Sequence, residues 1–153
     1  MTDCYGNFCP PLVVGTEIEL TCINDPENKH NSRFTIKNVL GRGGMSYVYT
    51  VEDSVAVWTL KEYCPMSVIG DPCALHREGD AIVVNEKYRE NYDMYKENLI
   101  QASKYHTSYI KQHLSANINN IGTTGFYEGN NTIYIRSVYE NGISYEMCLY
   151  KRV

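Results

Sequence analysis

The residues best suited to chemistry are the glycines Gly41, Gly43 and Gly44, with Lys61 downstream of them. Glycine adopts backbone angles barred to other residues and lets a bulky anion approach the main chain. After the glycines, Tyr47 to Val51 are β-formers, Asp53-Ser54 can turn the chain, and Val55 to Leu60 is a second β-rich run ending at Lys61. The pattern predicts an antiparallel glycine flap followed by a strand that carries a lysine. A flap of backbone N–H groups beside a positive point charge suits a phosphorylated nucleotide.

Other reactive side chains are scattered. His30, His76, His106 and His113 lie at no metal-ligand spacing from acids or thiols, so no metal site is expected. The six cysteines, Cys4, Cys9, Cys22, Cys64, Cys73 and Cys148, form no C-x-x-C pair. The opening MTDCYGNFCPP has neither the basic nor the apolar region of a secretory signal. The expectation is a cytoplasmic chain with free structural thiols. A net charge of −4 with no basic run argues against a nucleic-acid footprint. No stretch approaches the roughly 20 apolar residues of a membrane span.

These residues need elements to position them. Residues 1–32 read as a lead-in, with a short strand within Leu12 to Leu20 around Gly15 and a polar loop from Asn24 to Ser32. Arg33 to Leu40 alternates apolar and polar and reads as the first strand of the sheet. Cys64-Pro65 ends the lysine strand. An irregular insert over about 66–87 contains a hairpin, Ala74 to Val84, turning at Glu78-Gly79-Asp80. Tyr88 to Leu114 reads as a long helix with Tyr88, Tyr92, Tyr95, Leu99, Ala102 and Tyr105 on one stripe and a break near His106 to Ser108. Gly122 to Glu128 and Thr132 to Tyr139 read as strands joined by the tight turn Gly129-Asn130-Asn131. Ser144 is placed to cap a last short helix.

In sequence order Gly41, Gly43, Ser46, Val48 and Lys61 give G-x-G-x-x-small-x-V followed by a strand lysine, which resembles the opening of a eukaryotic-type protein kinase domain. The wording GRGGMSYVY and LKEYCP is most similar to bacterial serine/threonine kinases of that type. The resemblance implies an α+β fold, a kinase N-lobe at 33–143 with a twisted five-stranded antiparallel sheet and one major helix (αC). Residues 144–153 would be the start of the hinge and the next helix. It implies ATP as the ligand. Leu40, Gly41, Arg42, Gly43, Gly44, Met45, Ser46, Val48, Thr59 and Lys61 would line its site, with Ser137 as gatekeeper and Val138 and Tyr139 in the hinge. Glu97, within MYKENLIQASKY, falls where the family has the glutamate that pairs with the strand lysine, so Lys61 and Glu97 are the implied catalytic pair. Thr59 departs from the family, which commonly has alanine there.

The HRD-x-x-x-x-N and DFG patterns that supply the base and the magnesium ligands occur nowhere in the chain. The expectation is therefore a lone ATP-binding lobe, inactive by itself, whose C-lobe would bring magnesium and the protein substrate. The alternative is a non-catalytic kinase-like interaction module, self-associating through the face that a second lobe would cover.

Overall fold

The computed structural model describes residues 9–23, 31–43, 45–65, 73–113, 125–140 and 143–144. In the first strand, β1 (Glu17–Cys22), the sequence EIELTC strictly alternates exposed and buried positions. A period of two puts Ile18, Leu20 and Cys22 on one face of a pleated strand. β2 (Asn31–Arg42), β3 (Ser46–Glu52) and β4 (Val57–Tyr63) follow as an antiparallel meander. β5 (Leu75–Glu78) and β6 (Ala81–Val84) make a separate hairpin, turning through Gly79 at φ 59°. After a 3-10 turn at Glu86–Tyr88 comes α1 (Arg89–His113), then β7 (Gly125–Gly129), β8 (Thr132–Glu140) and the short β9 (Ile143–Ser144).

The strand order is β4-β3-β2-β1-β7-β8, and β8 also pairs with β4. The sheet therefore closes into a six-stranded antiparallel barrel, which corrects the twisted five-stranded antiparallel sheet with one major helix (αC) expected from the kinase resemblance. The stave that closes it is β1, which the sequence reading left in the lead-in. Its Thr21 and Cys22 pair with Glu128 and Tyr127, while Glu17 to Thr21 pair with β2. Closure leaves neither β2 nor β7 with an unpaired ladder edge along the paired stretch. Phe34, Ile36, Tyr49, Val51, Leu60 and Tyr134 fill the interior, each 0% exposed. Phe34 and Tyr127 meet edge to face with ring centroids 5.5 Å apart.

Local predictions fared better than the sheet count. The β7–β8 turn runs through Asn130 (φ 51°) and Asn131 (φ 62°), the left-handed pair that a two-residue hairpin needs and that asparagine tolerates. α1 continues through His106 to Ser108 without the expected break. Ile143–Ser144 is a strand, so Ser144 does not open a helix, and residues 145–153 lie outside the described part. Cys9, Cys22 and Cys64 are buried thiols outside any disulfide, but Cys73 takes part in one. Cysteine pairing follows tertiary proximity, which spacing does not encode. No described helix is long and apolar enough to cross a membrane.

Candidate functional site

β4 has two faces with different tasks. Its even residues point into the barrel: Trp58 near one mouth, Leu60 in the middle, Glu62 near the other. Its odd residues, Thr59, Lys61 and Tyr63, point outward. Cross-strand register places Val48, Lys61 and Ile135 in one outer row, and Thr50, Thr59 and Ser137 in the next. Ser46 faces Tyr63 in a third.

The β2–β3 hairpin arches beside these rows. Gly43 N donates to Ser46 O at 2.8 Å and closes its turn. Neither Gly41 nor Gly43 has a left-handed φ, and a Cβ on Gly41 would meet nothing within 4 Å. On Gly43 the nearest atom would be Ser46 O at 3.9 Å. Within the chain, then, neither backbone strain nor crowding demands glycine at these two positions. Gly44 lies outside the described residues. Leu40 sits in a register shift between Val39 and Gly41 and is exposed. Arg42 Nη1 donates to the Tyr47 hydroxyl at 2.9 Å, with the guanidinium 4.8 Å from the ring centroid.

Where the hairpin meets the outer face of β4 and β8 there is a cavity of about 200 Å³ lined by Met45, Ser46, Lys61, Tyr63, Leu99, Ile133 and Ile135. The structure thus brings Met45 and Ser46, at the end of the β2–β3 turn, beside the strand lysine, while Gly41 and Gly43 are not among the lining residues. Burial pushes the Tyr63 phenol up to about 12, helped by Tyr95 and Cys64 nearby. Thr59 and Ser137 are buried in the adjoining row, and Thr59 Oγ1 has no hydrogen-bond partner. Val138 and Tyr139 continue β8, pairing with Trp58 and Ser144.

Glu97 is placed elsewhere. It is exposed, and its Oε2 accepts from Gln101 Nε2 at 2.8 Å. The stripe of α1 that turns inward carries Tyr92, Tyr95, Leu99 and Ser103, so Leu99 rather than Glu97 lines the Lys61 cavity. The helix is moored at the β7–β8 turn, where Tyr92 donates to Asn131 O at 2.6 Å and Lys96 Nζ to Asn131 Oδ1 at 3.3 Å.

Sequence reasoning missed Glu62 and Arg77. Glu62 is 0% exposed. Its Oε1 accepts from Tyr49 and from Arg77 Nη2, both at 2.7 Å, and its Oε2 from Tyr134 at 2.6 Å and Arg77 Nη1 at 3.0 Å. Arg77 also donates to Pro10 O and Asp80 O, which ties the lead-in and the β5–β6 hairpin to the barrel. Burial beside this carboxylate raises the Tyr49 and Tyr134 phenols far above their ordinary range. No sequence signal marks the pair, because the partners come from a strand and an insert. At the opposite mouth, Arg136 lies 4.1 Å from the Trp58 ring centroid and 5.6 Å from that of Tyr127. A cleft of about 710 Å³ opens there between β1, β2 and the Asp53–Val55 turn. Among the described residues no group of three acids, histidines or cysteines is arranged to hold a metal ion.

No family model and no curated protein matches the sequence. A solved structure, the apo form of PpkA-294, is similar in fold, with a TM-score of 0.53 and 21% identity. The match covers 82% of this chain and 41% of that one, so this chain spans about two fifths of its neighbour's length.

Proposed function

We propose that this chain is the ATP-holding part of a serine/threonine protein kinase, in which a phosphoryl group passes from Mg-ATP to a protein hydroxyl. The observation that carries the proposal is that Met45 and Ser46, at the end of the β2–β3 turn, share one cavity with Lys61. A space of about 200 Å³ is smaller than the roughly 300–1,000 Å³ of whole-ligand pockets, and its lining is apolar apart from Ser46, Lys61 and the Tyr63 phenol, so it takes only part of a nucleotide, with the phosphates at the Lys61 side. Lys61 supplies the point charge, and the glycine turn gives the phosphates close access to the main chain. Leu40 and Val48 bracket the base, and Thr59 meets it with a hydroxyl where the family has a methyl group. Catalysis by such a site is positioning plus charge stabilisation. The base, the magnesium ligands and the protein-substrate surface come from outside these 153 residues, since no HRD or DFG pattern is present. The fold likeness to PpkA-294 is compatible with this reading.

The test is titration of Mg-ATP against the purified chain and its Lys61→Met variant by calorimetry. Saturable binding weakened about tenfold or more by the substitution, at least about 1.4 kcal/mol, is the expected result. Equal binding by both proteins, or none by the wild type, overturns it. The chain alone is expected to phosphorylate nothing; robust phosphoryl transfer by residues 1–153 would sink the division of labour.

One observation favours a second reading, a non-catalytic interaction module. Glu97 faces solvent with Gln101, whereas an active kinase site turns its helix glutamate to the strand lysine. A null result for Lys61→Met in both binding and cellular phenotype would select this reading.

A further inference from the structure

Two thiols meet beneath the glycine hairpin. Cys9 and Cys64 are 55 positions apart, yet Cys64 Sγ donates to Cys9 Sγ at 3.6 Å. Both residues are 1% exposed. Their main chains are anchored independently of that contact. Tyr47 donates to Cys9 O at 2.6 Å, and Cys64 N donates to Met45 O at 2.7 Å. Next to Cys9, Arg77 Nε donates to Pro10 O at 2.8 Å, and Leu12 N donates to the Tyr49 hydroxyl at 2.9 Å. The juxtaposition is therefore built from both sides, by the lead-in segment and by the end of β4.

We propose that Cys9 and Cys64 form a peroxide-sensitive dithiol, which closes to a disulfide and rivets the lead-in segment to β4 and the glycine hairpin. The proposal does not depend on what the Lys61 cavity binds. The environment separates the two thiols. The hydrogen bond from Cys64, with the charges of Arg77 and Arg42, lowers the Cys9 thiol below its ordinary range against the opposing effect of burial. The same bond and burial raise Cys64. Cys9 is accordingly the nucleophile, because the thiolate is the reactive form.

The Cys9 thiolate attacks one peroxide oxygen and the O–O bond breaks. Sulfur becomes a sulfenic acid, and the departing hydroxide takes up the Cys9 proton as water. The Cys64 sulfur then attacks the sulfenic sulfur. The S–S bond forms, the S–O bond breaks, and hydroxide leaves with the Cys64 proton as a second water. Two thiols lose two electrons in all, and one hydrogen peroxide becomes two waters. The cross-link restricts the unfolded chain over a long loop, so the oxidised protein should melt several degrees higher and revert on reduction.

The experiment uses the whole chain, reduced, desalted and exposed to stoichiometric hydrogen peroxide. Remaining thiols are blocked with iodoacetamide in guanidinium. Disulfides are then reduced and labelled with N-ethylmaleimide, and tandem mass spectrometry reads each cysteine. The expected result is a matched rise of N-ethylmaleimide at Cys9 and Cys64, to more than half of the protein, with Cys22 still blocked by iodoacetamide. In Cys9→Ser, Cys64 returns to the iodoacetamide form. Both cysteines remaining blocked after peroxide overturns the proposal, as does Cys9 advancing to sulfinic acid with Cys64 unchanged. So does Cys64 gaining the second label in Cys9→Ser. If a variant fails to fold, the matched rise in the wild type decides alone.

Discussion

Glu62 and Lys61 are neighbours in sequence and opposites in circumstance. Glu62 turns into the barrel, is shut off from water, and has both carboxylate oxygens doubly engaged by Arg77, Tyr49 and Tyr134. Lys61 turns out, half-buried, on the wall of a cavity, one row from a threonine hydroxyl with no partner. The inner face is a finished polar network, and a buried charge is tolerated only when finished in this way. On the outer face the Thr59 hydroxyl is buried without a hydrogen-bond partner. On the proposed function, one strand separates stability from binding by the alternation of its side chains.

The comparison can be broken or sharpened by experiment. Glu62→Gln carries the largest expected effect. It leaves the Arg77 charge buried without its counter-ion and should destabilise by about 3–5 kcal/mol, read from urea midpoints. A loss below about 1 kcal/mol would mean that the inner network is not the structural half. Lys61→Met should do the reverse, changing stability by less than about 1 kcal/mol while weakening Mg-ATP binding about tenfold. Thr59→Val removes the unpartnered buried hydroxyl at nearly constant shape and should stabilise by about 1 kcal/mol; a loss of stability would show the hydroxyl to be satisfied in solution.

The smallest effect is in alkali. Burial lifts the Tyr63 phenol to about 12, against an ordinary value near 10. The folded state then holds this proton where the unfolded chain releases it. The contribution is whole below about pH 10 and is lost as pH rises through about 12. Urea midpoints of the wild type and Tyr63→Phe should therefore diverge only within that window.

The hairpins were legible in the sequence because their signals are local. Gly129-Asn130-Asn131 announces a turn, and alternation announces the strands beside it. That Lys61 lies on a strand after a turn was legible, since glycines, β-formers and a lysine follow in order; the other walls of its cavity, Tyr63, Leu99, Ile133 and Ile135, were not. Glu97 shows the limit of motif order. A residue five positions after the buried Tyr92 falls off an inward stripe that repeats every three or four, and the structure puts it in water. Glu62 was hidden because a carboxylate alternating with apolar residues reads as a solvated position, and its partner Arg77 comes from another hairpin. The closing role of β1 was hidden for a similar reason. EIELTC is plainly a strand, but which neighbours it takes is a long-range matter.

That long-range choice governs how the molecule must be made. β1 emerges from the ribosome early, and one of its partners follows directly as β2. The other, β7, lies past α1, with Thr21 waiting for Glu128. Until then an apolar trough and two open strand edges are available to other chains. Such distant pairing makes for slow folding and a vulnerable nascent state. Ring closure should accordingly be the late, rate-determining event of biogenesis, and shortening β1 should lower the yield of native protein more than it lowers the melting point of what survives.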